Sequence, residues 1–299
     1  LEINSKIENL NFLAKQVVEG FIIGLHKSPF HGFSVEFAEH KLYNLGDNLK
    51  HIDWKVYGRT DKLFIKKYEE ETNLRCQIIL DSSPSMLFPE EPKEYNKLQF
   101  SAIAAASLFQ IFKKQSDAGA LHLFDDSVYF KSPCRSNSVH YSRLINELEK
   151  LLRHNAPKRQ SNTANVLHQI AENVHRRSLV IIFSDMLDRV SDMDNLFDAL
   201  QHLKFNKHEV ILFHVQDKKF EVDFEFENRP YEFVDLESGE SVKMNSNSMK
   251  KNFASKMLEY RKEVELKCRQ YGIDIIDADV NKGFEQVLLP YLIKRNNMR

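Results

Sequence analysis

The chain has 299 residues, 42% hydrophobic and 28% charged, with 42 lysines and arginines against 43 aspartates and glutamates. That length admits one large domain or a domain with sizeable additions, and the near-cancellation of charge argues against a surface dominated by nucleic-acid contacts. No apolar run is long enough to span a bilayer and no signal-peptide pattern opens the chain, so a cytoplasmic protein without a stable membrane span is expected.

The sequence opens on Leu1 rather than Met, so the natural N-terminus is expected upstream. Residues 1–27 carry Ile7, Leu10, Leu13, Val17, Val18, Phe21 and Ile22 at helical spacing. From Pro29 to Asn73, Gly32, Gly46 and Gly58 punctuate short runs, and 63–68 looks extended. This reads as an irregular elaboration rather than an independent domain. Residues 1–73 are therefore set apart from a main domain at 74–299.

Alternating elements follow. Arg75–Leu80 is a predicted strand, 96–116 a helix rich in Ala and Phe, and 118–124 and 127–131 a strand pair turning at Asp125-Asp126. Helices are predicted over 139–152 and 164–176. Leu179–Phe183 is apolar on both faces, as a central parallel strand should be. Ser191 can cap the next helix, with Asp194 in its first turn. Glu209–Val215 is a strand. Phe220, Val222, Phe224 and Phe226 alternate with charged residues and predict a half-exposed strand; a second strand follows at 231–236 and 237–240 makes the turn, within a hairpin insertion near 218–247. A long helix bearing Phe253, Met257, Tyr260, Val264, Cys268 and Tyr271, a strand at 273–276 and a helix over 281–295 close the chain. The expected fold is α/β: a doubly wound, mostly parallel sheet flanked by helices. Cys76, Cys134 and Cys268 lack paired spacing; Cys76 in a strand and Cys268 on an apolar helix face read as buried thiols in a reducing compartment.

The stretch with chemical content is Asp81-Ser82-Ser83-Pro84-Ser85, directly after the first apolar strand. Strands of open α/β sheets release ligand-binding loops at their C-terminal ends. A carboxylate and two short hydroxyls there can converge on a hard divalent cation, although serines and aspartates at strand ends are also common turn and cap residues. With Thr163 before a later helix and Asp185 ending the fourth strand, the set resembles the metal-ion-dependent adhesion site of von Willebrand factor A domains. That resemblance implies Mg2+ (or Mn2+ or Ca2+) held by Asp81, Ser83, Ser85, Thr163 and Asp185, with one position left for an acidic group of a partner protein. Two departures stand out: Gln160-Ser161-Asn162 replaces a frequent Gly-Gly, and Ser184-Asp185-Met186 replaces a frequent Thr-Asp-Gly.

Gly46-Asp47-Asn48-Leu49-Lys50-His51-Ile52-Asp53-Trp54, Gly58-Arg59-Thr60, Tyr68-Glu69-Glu70-Glu71 and the hairpin at 233–240 resemble the domain of unknown function 58 family. That family joins such a segment to a von Willebrand A-like domain, and its usual arginine before Ile-Asp-Trp is Lys50 here. Read from the residues alone, Trp54 packs the elaboration on the sheet, Asp53 caps a turn and Arg59 pairs with one of Glu69–Glu71. The resemblance implies a companion MoxR-type AAA+ ATPase and a non-enzymatic, metal-assisted protein-binding role in protein maturation or remodelling. The alternative is a magnesium-dependent hydrolase or phosphotransferase at the same site. It has no clear nucleophile or base, and Ser83 stands where phosphatases of the haloacid-dehalogenase type carry Asp. Phosphate-binding glycine loops, a Gly-x-Ser-x-Gly elbow and a His-Glu-x-x-His motif are absent from the sequence. His168 and His175, two turns apart, read as solvated helix residues; His122 and His214 read as satisfied core residues.

Overall fold

The structure, a computed structural model, describes residues 9–26, 40–43, 54–66, 74–90, 92, 94–153, 163–186, 193–227, 229–234 and 241–298. Before the sheet come helix α1 (Leu10–His26), the strand β1 (His40–Leu42), a short helix α2 (Trp54–Thr60) and the strand β2 (Phe64–Lys66), which pairs antiparallel with β1. The Gly46–Asp53 segment, the Trp54 side chain and Glu69–Glu71 lie outside the described residues; Arg59 is exposed.

The main unit runs β3 (Arg75–Asp81), α3 (Lys97–Lys114), β4 (Ala118–Phe124), β5 (Val128–Lys131), α4 (Ser138–Arg153), α5 (Thr163–Asn173), β6 (Leu179–Ser184), α6 (Met193–Phe205), β7 (Glu209–Gln216), β8 (Pro230–Val234), β9 (Ser241–Asn245), α7 (Ser246–Gln270), β10 (Asp274–Asp279) and α8 (Glu285–Asn297). The sheet order is β10-β7-β6-β3-β4-β5, parallel except for β5. The chain leaves β3 in one direction, to β4 and β5, then crosses back to β6 on its other side. The order therefore reverses between β3 and β6, which opens a crevice at their C-terminal ends. β8 and β9 form the expected hairpin as a separate two-stranded sheet. The turn at 237–240 lies outside the described residues.

Alternation along the strands sorts side chains into two cores. Ile78, Leu80, Ile181, Phe183, Ile211 and Phe213 face α1, α3, α4 and α8. Ile79, Val180, Ile182, Val210 and Leu212 face α5, α6 and α7. Each such side chain, fully buried, stabilises the fold by about 1.5–3 kcal/mol. Helix α3 is buried along nearly its whole length because Leu10, Ala14 and Val18 of α1 join its core. Its start is fixed by a capping box: Asn96 Oδ1 accepts from the Gln99 amide at 2.8 Å, and the Asn96 amide donates to Gln99 Oε1 at 3.1 Å.

One expected element is corrected. Residues 220–226 do not form a strand. A π-helical turn spans Lys218–Val222, closed by Asp217 accepting from the Phe220 amide at 3.2 Å, and Phe224 has φ +50, incompatible with extended backbone. The alternating phenylalanines instead pack on one another and on the hairpin, Phe224–Phe226 at 4.8 Å and Phe224–Phe233 at 5.7 Å between ring centroids.

Candidate functional site: a carboxylate and serine crevice

Asp81 is the last residue of β3 and is 1% exposed. Ser82 is committed to the neighbouring strand: its amide and hydroxyl both donate to the Phe124 carbonyl, at 2.8 and 2.6 Å. The chain turns there because the Ser83 amide donates to Asp81 Oδ1 at 2.9 Å, and Pro84 opens a 3-10 helix through Leu87. That turn brings the Ser83 and Ser85 hydroxyls 3.0 Å apart, both buried.

The end of β6 meets them. Ser184 Oγ donates to Asp81 Oδ2 at 2.7 Å and accepts from the Met186 amide at 2.9 Å. Asp185, 3% exposed, points its carboxylate at Lys97, whose Nζ donates at 2.7 Å to Asp185 Oδ2 and at 2.7 Å to Glu221 Oε1. His214 Nε2 donates to the Asp185 carbonyl at 3.1 Å. Met186, standing where the family pattern often has Gly, adopts φ +53 and is fully buried. Thr163 is the buried first residue of α5; the loop before it, 160–162, lies outside the described residues.

Burial, and then the charge of Asp185, push the Asp81 carboxyl up to about 7, against the hydrogen bonds from Ser184 and Ser83. Burial alone would pull the Lys97 ammonium down, but Asp185 and Glu221 hold it above the usual lysine value. Asp185 and Glu221 thus share one ammonium, while the donors that Asp81 meets, amide and hydroxyl, are neutral. The donor set is all oxygen, with carboxylates whose repulsion a cation would relieve, and so fits a hard divalent ion. Among the described residues no group of three or more His, Cys, Asp or Glu side chains has metal-binding geometry. Any ion here would therefore need the serine hydroxyls.

Sequence reasoning named Asp81, Ser83, Ser85, Thr163 and Asp185 but missed Lys97, Ser184, Glu221 and His214. Lys97 had a signal: a lysine at the first position of a capped helix opposes the helix dipole and is unusual without a carboxylate partner. Ser184 could have been found as the oxygen next to Asp185. Glu221 was concealed by the misread strand. His214 is buried and hydrogen-bonded as expected, whereas His122, bonded to Gln77 at 3.0 Å, leaves Nδ1 without a partner. Burial, and less so Lys131, lower its pKa to about 4, which keeps it neutral.

The chain is similar to uncharacterized proteins of Mycobacterium tuberculosis and Mycobacterium bovis, 24% identical over 213 residues, which cover 71% of this chain and 65% of theirs. Less than two thirds of those relatives' length is therefore represented. Among solved structures it is similar to BatB of Bacteroides thetaiotaomicron, 14% identical over 76% of this chain and 100% of that one, with a TM-score of 0.46. An aerotolerance-related membrane protein of Bacteroides fragilis matches at 15% identity over 74% and 99%, also with a TM-score of 0.46. No helix among the described residues is long and apolar enough to cross a membrane. A family model described as protein of unknown function DUF58 matches residues 39–263, most of the chain and the whole serine crevice, and the chain belongs to that family.

Proposed function

We propose that this chain is a non-enzymatic protein-interaction module whose crevice binds a divalent cation, Mg2+ foremost with Mn2+ or Ca2+ as substitutes, and through it an acidic side chain of a partner. The observation that carries the reading is the buried Asp81 carboxylate, flanked by the paired Ser83 and Ser85 hydroxyls and raised by Asp185 at the reversal point of the sheet. In the von Willebrand A-like arrangement that the sequence resembles, Asp81, Ser83, Ser85, Thr163 and Asp185 would hold the ion. A bound Mg2+ keeps open positions filled by water or by an incoming carboxylate.

The chain's own residues set the terms of that exchange. The Ser83 amide and the Ser184 hydroxyl aim the Asp81 carboxylate. Lys97 neutralises part of the crevice, so a cation has only the residual negative charge to satisfy. The family resemblance points to a MoxR-type AAA+ ATPase as the partner, in protein maturation or remodelling within the cytoplasm. Titration calorimetry with Mg2+ and Mn2+ on chelator-treated protein and on Asp81→Ala tests the site. Binding by the first alone is expected, and capture of the ATPase should then need the metal. If neither protein binds metal, alone or with the ATPase present, the reading is wrong.

A further inference from the structure

Lys97 makes two ion pairs of different kinds. Its Nζ lies 2.7 Å from Asp185 Oδ2 and 2.7 Å from Glu221 Oε1. Lys97 and Asp185 belong to the frame: the first opens α3, the second follows β6, and both are buried. Glu221 comes from the π-helical turn Lys218–Val222, in which no residue is buried, and its side chain is 16% exposed. That turn is held at its root. Asp217 is buried and its Oδ1 accepts from Asn281 Nδ2 at 3.1 Å, while the Asp217 amide donates to Glu221 Oε2 at 2.7 Å. Further out, Phe220 stands edge-on to Phe88 at 6.3 Å between ring centroids, and the Phe88 centroid lies 5.8 Å from Lys97 Nζ. Glu221 is thus the outer of the two carboxylates that the buried ammonium meets.

We propose that Lys97 receives the partner's acidic side chain, and that Glu221 holds its place until the partner docks. This deepens the proposed function and rests on it for the acidic partner, while the contact itself needs no metal. A buried ammonium that loses a carboxylate partner is costly, so Glu221 leaves only when a second carboxylate replaces it. That exchange keeps both the charge balance and the hydrogen bonds of Lys97. A neutral or basic side chain offers no such exchange, so the arrangement selects an acidic one. Asp185 is not the carboxylate exchanged: it is 3% exposed, and its carbonyl accepts from His214 Nε2 at 3.1 Å. Glu221 is tethered, and so competes at an effective concentration on the order of millimolar. A stray carboxylate displaces it poorly, whereas a partner that also makes other contacts can do so.

The test uses the full chain and N-acetylglutamate α-methylamide as acidic probe, titrated by NMR once with Mg2+ and once in chelator. Glu221→Gln should bind the probe at least about tenfold more tightly than the unaltered protein, because a charge-assisted competitor is gone. Phe220→Ala keeps Glu221 but frees the turn from Phe88, and should shift the affinity in the same direction. Glu225→Gln, which removes an exposed carboxylate nearby, should leave it unchanged. Adding Lys97→Met to Glu221→Gln should abolish the gain, with the folding of each variant checked by circular dichroism. Equal affinity of the unaltered and Glu221→Gln proteins in both media overturns the proposal. So does a gain that survives Lys97→Met or that Glu225→Gln also shows. A gain that persists in chelator, in a protein that calorimetry shows not to bind Mg2+, supports the Lys97 contact and removes the metal from the proposed function.

Discussion

The two ends of the parallel strands each bury a carboxylate against a cation, and they do it differently. At the N-terminal end, Asp117 is fully buried and accepts from Arg295 Nε at 2.8 Å, Arg295 Nη2 at 3.1 Å, Tyr291 Oη at 3.3 Å and the Leu74 amide at 3.2 Å. One carboxylate meets one guanidinium, with both oxygens used. At the C-terminal end, Asp185 and Glu221 share one ammonium, and beside them the Asp81 carboxyl, with neutral donors only, is pushed up to about 7 by burial and by Asp185. The first end is balanced and structural. The second holds excess negative charge at the place where α/β sheets bind ligands.

Substitution at each end should break this comparison most clearly. Asp117→Ala leaves a buried arginine unpaired and should cost about 3–5 kcal/mol in urea unfolding, the same with and without Mg2+. Lys97→Met leaves Asp185 and Glu221 without their ammonium. Glu221 is only half-buried, so a loss of about 2–3 kcal/mol is expected in chelator. Here Mg2+ should restore much of the deficit, since the ion replaces the missing charge. An equal deficit with and without Mg2+ would make both ends structural and remove the contrast.

The sequence carried the balanced parts of the fold further than the unbalanced site. Leu179–Phe183 and Ile78–Leu80 were legible because a strand buried on both faces needs an unbroken apolar run. Asp81, Ser83 and Ser85 were legible because their geometry is local, set by a turn of five residues. Lys97, Asp185 and Glu221 were not legible as a unit: Lys97 lies 88 and 124 residues from its two partners, and only the sheet order brings them together. The 220–226 segment misled because aromatic residues at period two fit a strand as well as a self-packed cluster. The positive φ of Phe224, which decides between them, has no signature in a phenylalanine.

The pH dependence sharpens the contrast at a smaller scale. The Asp81 carboxyl is raised in the folded chain from its ordinary 3.8 to about 7. Its contribution to stability is therefore fully present below about 4 and is lost as the pH rises through 7. Metal-free protein should become less stable from pH 6 to pH 8, with this group contributing at most about 1.4 kcal/mol per pH unit. Asp81→Asn should flatten that slope, whereas Asp117→Asn should leave it in place. Added Mg2+ should reverse the trend, because the ion needs the carboxylate form. Urea midpoints at pH 6, 7 and 8 measure all of these, and equal slopes for the unaltered and Asp81→Asn proteins would show that Asp81 does not titrate in this range.

The smallest expected effect uses one backbone conformation found at both ends. Ser116, just after α3, has φ +56, and Met186, just after Asp185, has φ +53. Left-handed backbone costs a side-chain-bearing residue about 1–2 kcal/mol relative to glycine. At Ser116 the side chain is exposed, and the turn is held by backbone bonds from the Asp117 amide to the Phe112 carbonyl at 3.0 Å and from the Ser116 amide to the Lys113 carbonyl at 3.4 Å. Ser116→Gly should therefore stabilise the chain by about 1 kcal/mol. Met186 is fully buried, and its carbonyl accepts from the Tyr260 hydroxyl. Removing its side chain forfeits burial worth about 1.5–3 kcal/mol, so Met186→Gly should destabilise despite the relieved backbone. Met186→Ala isolates the backbone share: it loses nearly the same side chain and keeps the strain, so it should be about 1 kcal/mol less stable than Met186→Gly. If the alanine and glycine variants at 186 unfold at the same urea concentration, the backbone there carries no strain, and burial alone accounts for methionine where the family pattern often has glycine.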